Sequence, residues 1–220
     1  EPSQTPSMLS SPALIGIIDL GGPALHGRQP LALALSGAFV YVANEATDNL
    51  SVIRDGRVQN VLPLQPGPYH AAFGADAERA YLSAEQAQVI YVLEAGEIAN
   101  VWPLAFAPTA LALADETLWI GGADGTIARL DAISGHLVST DAPLDDGMIV
   151  DLLSPGGDYV LAATFTQIHL YSRADARIIV SQPYPGYRTM AAGDDAIYVC
   201  AYDRDTDTTI VDELDRKSVV

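Results

Sequence analysis

Residues 61–64 read Val-Leu-Pro-Leu, and residues 101–104, 40 positions later, read Val-Trp-Pro-Leu. The same interval separates five prolines along the chain, namely Pro23, Pro63, Pro103, Pro143 and Pro183. A second series, an apolar run that contains an aromatic residue, marks the middle of each repeat at residues 40–43, 80–83, 118–121, 159–162 and 197–200. A fixed period of this length indicates a protein built from repeated structural units.

Each repeat contains four short runs of β-forming residues. In the first repeat these runs are residues 31–35, 39–43, 50–54 and 57–62. Asp55-Gly56 between the last two runs is a hairpin signal, and Ala95-Gly96 and Ser134-Gly135 occupy the same place in later repeats. Because no segment has a helical apolar period of useful length, the sequence predicts an all-β fold. The expected architecture is a β-propeller of five four-stranded antiparallel blades.

One pair of strands resembles a known repeat. Tyr41-Val42-Ala43-Asn44, followed by Asn49-Leu50-Ser51-Val52-Ile53, is similar to the YVTN-type repeat of the YVTN-, WD40- and NHL-like propellers. Later repeats depart from it, since Asn44 is replaced by Ala84, Gly122, Ala163 and Ala201. The resemblance implies a propeller from about residue 30 to the last residue. It also implies a binding platform more often than an active site.

The two ends of the chain bear on how the propeller closes. Residues 1–12 have the Ser- and Pro-rich composition of a flexible tail, and we expect residues 13–220 to form a single propeller domain. Residues 14–20 fall in the register of an outermost strand, so we predict that they complete the last blade. In a rival interpretation, residues 216–220 begin that strand. A chain that opens at Glu1 predicts a processed, extracellular, periplasmic or cell-surface protein.

Composition excludes several classes of function. The chain carries 28 acidic and 11 basic residues, a formal net charge of −17. Such a surface repels phosphate backbones, so we expect no nucleic-acid partner. No apolar run is long enough for a spanning helix, so we expect no membrane insertion. The single Cys200 excludes a disulfide within the chain and a cysteine-based metal site.

Two sets of propeller loops share one face with the first residues of the inner strands. On this sequence that face is predicted to carry Tyr69, His70, Phe106, Asp145, Asp146, Asp151, Tyr184, Tyr187 and Arg188. Aromatic side chains with polar tips suit the recognition of a peptide or a sugar. In the alternative interpretation, the tyrosines pack between blades.

Two polar residues interrupt apolar repeat positions. His70 stands where other repeats have Ala32, Ala110, Val150 and Met190. His70 is therefore either a residue of the functional site or a structural histidine whose ring is hydrogen-bonded to a neighbouring backbone carbonyl. Asp151 is the corresponding exception on the fourth inner strand, and it is expected either to line a wet channel or to pair with Arg188.

An acidic loop near the end of the chain suggests a metal site. Asp203, Asp205 and Asp207 alternate along it, and carboxylates at this spacing suit calcium. The EF-hand pattern fails, because Thr208 and Leu214 stand where it needs Gly and Glu. A solvated hairpin tip is the other interpretation.

The function expected from these features is non-catalytic. We predict an extracellular binding or scaffolding module for a protein or carbohydrate ligand, as part of a larger assembly and without a cofactor other than calcium. The sequence lacks the Gly-x-Ser-x-Gly, His-Glu-x-x-His and phosphate-loop motifs of common enzyme classes. Two alternatives remain: a hydrolase or lyase with a calcium-supported axial site built from Asp151, His70 and Arg188, and a structural subunit of a surface layer or fibre.

Overall fold

The computed structural model describes residues 27–64, 68, 71–193, 196–203 and 206–215. Blade 1 contains β1 (Pro30–Ser36), β2 (Phe39–Asn44), β3 (Asn49–Arg54) and β4 (Arg57–Pro63), with a short 3-10 helix at Glu45–Thr47. Blade 2 contains β5 (Phe73–Ala75), β6 (Arg79–Ala84), β7 (Val89–Glu94) and β8 (Glu97–Pro103). Blade 3 contains β9 (Pro108–Ala114), β10 (Thr117–Gly122), β11 (Ile127–Asp131) and β12 (Leu137–Thr140). Blade 4 contains β13 (Asp151–Leu153), β14 (Tyr159–Ala163), β15 (Gln167–Ser172) and β16 (Ile178–Pro183). Blade 5 contains β17 (Tyr187–Ala192), β18 (Ala196–Asp203) and β19 (Thr208–Asp215).

The strands of each blade pair antiparallel in chain order. Successive sheets lie side by side in a ring as the blades of a five-bladed β-propeller, so the predicted fold class is confirmed. Blade 5 has three strands within the described residues. Its predicted fourth strand, residues 14–20, and the proposed domain boundary at residue 13 lie outside the described part, so both stay predictions.

Two of the three predicted hairpins have a tight turn between the outer strands, whereas five residues, 132–136, connect β11 to β12, and among them Gly135 alone has positive φ. Asp55 and Gly56, between β3 and β4, both have positive φ, at 51° and 69°. Ala95 and Gly96, between β7 and β8, repeat this conformation at 49° and 87°. Two consecutive residues with positive φ are typical of the hairpin turn whose twist matches the strands.

An apolar core lies between each pair of consecutive blades. We call the side of a blade that is turned to the next blade in sequence its forward face, and the opposite side its rear face. An aromatic residue from the second strand anchors the forward face of each of the first four blades, and all four are buried: Tyr41, Tyr81, Trp119 and Tyr159. Tyr81, for example, packs with Leu118 and Ile120 on the rear face of blade 3. Consecutive blades therefore bury each other's side chains.

Hydrogen bonds between consecutive blades fix the orientation of one blade against the next. The Tyr41 hydroxyl accepts the amide proton of Gly96 in blade 2 at 3.0 Å. The Tyr81 hydroxyl donates to the carbonyl of Ala132 in blade 3 at 2.6 Å. The Tyr187 hydroxyl of blade 5 donates to Asp151 of blade 4 at 2.8 Å. A phenol suits such a junction, because its ring is apolar and its tip can form a hydrogen bond.

We predict that Tyr81→Phe lowers the free energy of unfolding by about 1 kcal/mol, because the buried carbonyl of Ala132 loses its phenolic donor. The matched control is Tyr198→Phe, which removes a hydroxyl from the exposed tyrosine at the same repeat position of blade 5. Its effect is expected to stay within about 0.5 kcal/mol. Urea unfolding of the two variants measures the difference, and equal losses would contradict the proposed role of the junction bond.

Candidate functional site

A cleft of about 820 Å³ opens between blades 4 and 5 on the predicted loop face. The loop from β14 to β15 and the loop from β16 to β17 form one side of it, and strands β17, β18 and β19 form the other. The side chains that determine its chemistry are Phe165, Tyr187, Arg188, Tyr202, Asp203 and Ile210. Tyr187 and Arg188 belong to the predicted site, whereas Phe165 and Ile210 were not predicted from the sequence.

The rim of the cleft combines apolar surface with a cation. Phe165 and Ile210 are both exposed although both are apolar. The Arg188 guanidinium is exposed as well and lies 5.6 Å from the centroid of the Tyr202 ring. A cation over an aromatic face is held in place without losing its ability to meet a carboxylate.

The narrow base of the cleft requires a glycine. Gly186 has φ +78°, and a Cβ atom at this position would lie 2.2 Å from the carbonyl oxygen of Tyr202. The Gly186 carbonyl accepts the amide proton of Tyr202 at 2.8 Å. Two backbones therefore meet directly here, and this contact fixes the loop before β17 against β18.

Buried Tyr187 and partly buried Asp151 form a hydrogen-bonded pair at the cleft. Besides the phenol, the Asp151 carboxylate accepts the amide proton of Met190 at 3.3 Å. Burial raises the pKa of Asp151 although these hydrogen bonds oppose it. Burial and the neighbouring carboxylate raise the pKa of the Tyr187 phenol. Of the two interpretations of Asp151, the ion pair with Arg188 is wrong, because Arg188 lies over Tyr202 and Asp151 joins blades 4 and 5.

The two residues of the predicted pair Asp145-Asp146 have different environments in the structure. Asp145 is exposed, whereas Asp146 accepts a hydrogen bond from the Thr164 hydroxyl at 2.6 Å and contacts His169 Nε2 at 3.1 Å. Burial raises the pKa of Asp146, but the bonds from Thr164 and His169 outweigh it and bring the pKa below its usual value. Asp146 thus fixes the loop that precedes β13.

His169 extends this network, because its Nδ1 lies 2.8 Å from the Ser181 hydroxyl. Serine, histidine and aspartate in this order invite comparison with a catalytic triad. His169 is only 4% exposed, whereas Ser181 is exposed, and the network joins the loop before β13 to strands β15 and β16. His169 was not predicted as a site residue, although a histidine within the apolar run of β15 was the available signal.

The remaining predicted residues do not meet at the cleft. Phe106 packs against the core between blades 2 and 3. Tyr184 is buried in the junction of blades 4 and 5, where its hydroxyl donates to Asp212. Tyr69 and His70 lie outside the described residues, so their placement stays a prediction.

The described residues of the acidic loop provide no evidence for a calcium site and none against it. Asp203 accepts the amide proton of Thr206 at 3.4 Å, and Asp207 accepts the Tyr202 hydroxyl. Asp205 lies outside the described residues. Within the described part of the chain, no group of three or more His, Cys, Asp or Glu residues could hold a metal ion. Calcium binding therefore stays a prediction, as does the axial site that includes His70.

No helix in the described ranges is long and apolar enough to cross a membrane. The propeller nevertheless leaves apolar side chains exposed at the cleft rim and on the first and last blades.

No family model and no curated protein matches the sequence. Its fold is similar to solved structures at low identity. Hydrazine synthase from Kuenenia stuttgartiensis aligns with a TM-score of 0.70 and 11% identity over 87% of this chain and 64% of that one. BamB from Moraxella catarrhalis aligns with a TM-score of 0.63 and 18% identity over 85% of this chain and 65% of that one. The WD40 β-propeller domain of Doa1 aligns with a TM-score of 0.66 and 12% identity over 81% of this chain and 62% of that one.

These similarities show a propeller repeat fold in general. The YVTN-type assignment within it stays a prediction. The chain spans less than two thirds of the length of each of these structures.

We predict that Asp146→Asn destabilises the protein by about 1 to 3 kcal/mol at neutral pH, because the partly buried hydrogen bonds to its charged carboxylate are weakened. The control is Asp145→Asn, which changes the exposed neighbour and should have no measurable effect. Because the pKa of Asp146 is lowered on folding, its stabilisation is complete above the usual value of 3.8 and is lost as the pH falls below it.

Melting curves between pH 3 and pH 7 therefore provide a second readout. Parent and Asp145→Asn should lose stability together at the acid end, whereas Asp146→Asn should lose less there. A parallel acid response in all three proteins would contradict the assigned role of Asp146.

Proposed function

We propose that this protein is a non-catalytic binding scaffold that recognises an extended segment of another protein in the cleft between blades 4 and 5. The observation that carries this proposal is the combination of exposed Phe165 and Ile210 with Arg188 over Tyr202 in one concave site. The volume of about 820 Å³ lies in the usual range of ligand sites.

The chemistry of the rim specifies the class of segment. Exposed Phe165 and Ile210 favour a ligand with an apolar side chain, which a peptide supplies and a sugar lacks. Arg188 favours a carboxylate beside it, because the planar guanidinium can form two parallel hydrogen bonds with such a group. The expected ligand is therefore a peptide in which an aromatic or aliphatic residue adjoins Asp, Glu or a free C-terminus.

Support from the neighbouring structures is limited to the fold, since propellers host many unrelated functions. A place within a larger assembly and an extracellular, periplasmic or cell-surface location are parts of the same proposal. Fractionation of the native cells, with the protein followed by antibody, tests the location. Recovery in the cytosol alone would overturn that part.

Selection from a random 12-residue peptide library on the immobilised protein tests the proposed ligand class. We expect enrichment of peptides that join an apolar residue to a carboxylate. With a selected peptide carrying a fluorophore, Arg188→Ala and Phe165→Ala should each weaken binding by at least about tenfold, as buried anchors do in other interfaces.

Matched controls lie on the same protein away from the cleft. Arg177→Ala removes an exposed arginine of blade 4, and Ile133→Ala removes an exposed apolar side chain of blade 3. Both should bind like the parent. Unchanged affinity in the Arg188 and Phe165 variants, or binding to a glycan array instead of peptides, would refute the proposal.

A further inference from the structure

The first and last blades expose side chains that every inner junction buries. At the position of the forward anchor, Tyr41, Tyr81 and Trp119 are each 1% exposed, whereas Tyr198 of blade 5 is 43% exposed. The forward face of blade 5 continues at Val211, which pairs with Cys200 and is 65% exposed.

On the rear face of blade 1 the innermost strand shows the complementary exposure, whereas Val42 and Ile53 of the next two strands are buried on the same face. Three leucines alternate along β1 on this face and are exposed: Leu31, Leu33 and Leu35. Leu33 is 70% exposed, whereas Leu111 at the same position of blade 3 is 4% exposed and packs with Tyr81 of blade 2. A row of exposed leucines on one strand face is unusual for a surface that only water covers.

At each of the four inner junctions, the forward face of one blade packs against the rear face of the next. The forward face of blade 5 and the rear face of blade 1 correspond to the two sides of such a junction. The four inner junctions therefore show which kind of surface would cover these two faces. A forward face with an aromatic anchor would cover the leucines of β1, and a rear face with apolar residues would cover Tyr198. A propeller blade of the same repeat presents both faces, one on each side.

We propose that the seam between blades 5 and 1 is a docking surface for further blades of the same repeat, carried by polypeptide beyond these 220 residues, so that the five blades described above would belong to a larger ring. The alignments indicate their number, because more than a third of each neighbouring structure has no counterpart in this chain. At about 40 residues a blade, that length corresponds to about two or three blades.

Other occupants fit less well. A second copy would bring five blades, more than the two or three that correspond to the unaligned part of the neighbouring structures. The strand predicted at residues 14–20 would pair with the edge of β19, and it would not cover the exposed leucines of β1.

Thiol labelling of the 220-residue chain tests the first half of this inference. In a Cys200→Ala background, Leu33→Cys is labelled with a maleimide and compared with Leu111→Cys and Leu137→Cys. Leu111 is buried at the equivalent position of blade 3, and Leu137 is exposed on an outer strand. We expect Leu33→Cys to react like Leu137→Cys and at least tenfold faster than Leu111→Cys, at every protein concentration.

The second half is tested by lengthening the chain. A copy of residues 97–183, which contains an outermost strand and two complete blades, is placed after Val220 or, in a second version, before Glu1. Either version should slow the labelling of Leu33→Cys at least tenfold and raise the melting temperature, while Leu137→Cys reacts as before. Tyr198→Asp should abolish the protection in the lengthened chain and leave the melting temperature of the 220-residue chain unchanged.

Three results would overturn the inference. Slow labelling of Leu33→Cys in the monomeric 220-residue chain means that the chain covers the seam itself. Slow labelling that appears only as concentration rises, together with faster sedimentation, means that a second copy covers it. Unprotected Leu33→Cys in both lengthened chains means that blades of this repeat do not dock there.

Discussion

Burial of one aromatic side chain per junction is the constraint on which this structure depends. A four-stranded blade has two apolar sides and cannot cover either of them alone. Tyr41, Tyr81, Trp119 and Tyr159 each place a large ring on the next blade, and burial of a ring of this size contributes on the order of 2 to 3 kcal/mol. The blades are therefore held by their neighbours, and the loops are positioned by the junctions beneath them.

The period of 40 residues made the architecture predictable, because period and strand length together leave few alternatives to a propeller. It did not determine the register within each blade. Residues 159–162 align with 118–121 by sequence, which would match Val160 to Trp119. In the structure Tyr159 faces blade 5 and Val160 faces blade 3. Because side chains alternate along a strand, a shift of one residue exchanges the two faces.

The candidate site was only partly predictable for a related reason. Loop topology placed Tyr187 and Arg188 on the correct face, but partners are decided by packing across blades. Asp146 and Asp151 are five residues apart in sequence, yet one has a lowered pKa because of Thr164 and His169, and the other has a raised pKa because of burial. Nothing in the sequence marks Phe165 as a site residue, because a single apolar residue in a loop is common on protein surfaces.

The position of Arg188 has a kinetic consequence. A ligand of the proposed class with a net negative charge would approach a molecule of net charge −17, so long-range repulsion would slow the encounter, whereas contact with the guanidinium would slow departure. Added salt screens the repulsion at distances beyond about 8 to 10 Å and weakens the short contact less. Association should therefore become faster as ionic strength rises toward the physiological range, the reverse of the behaviour of partners with opposite charge.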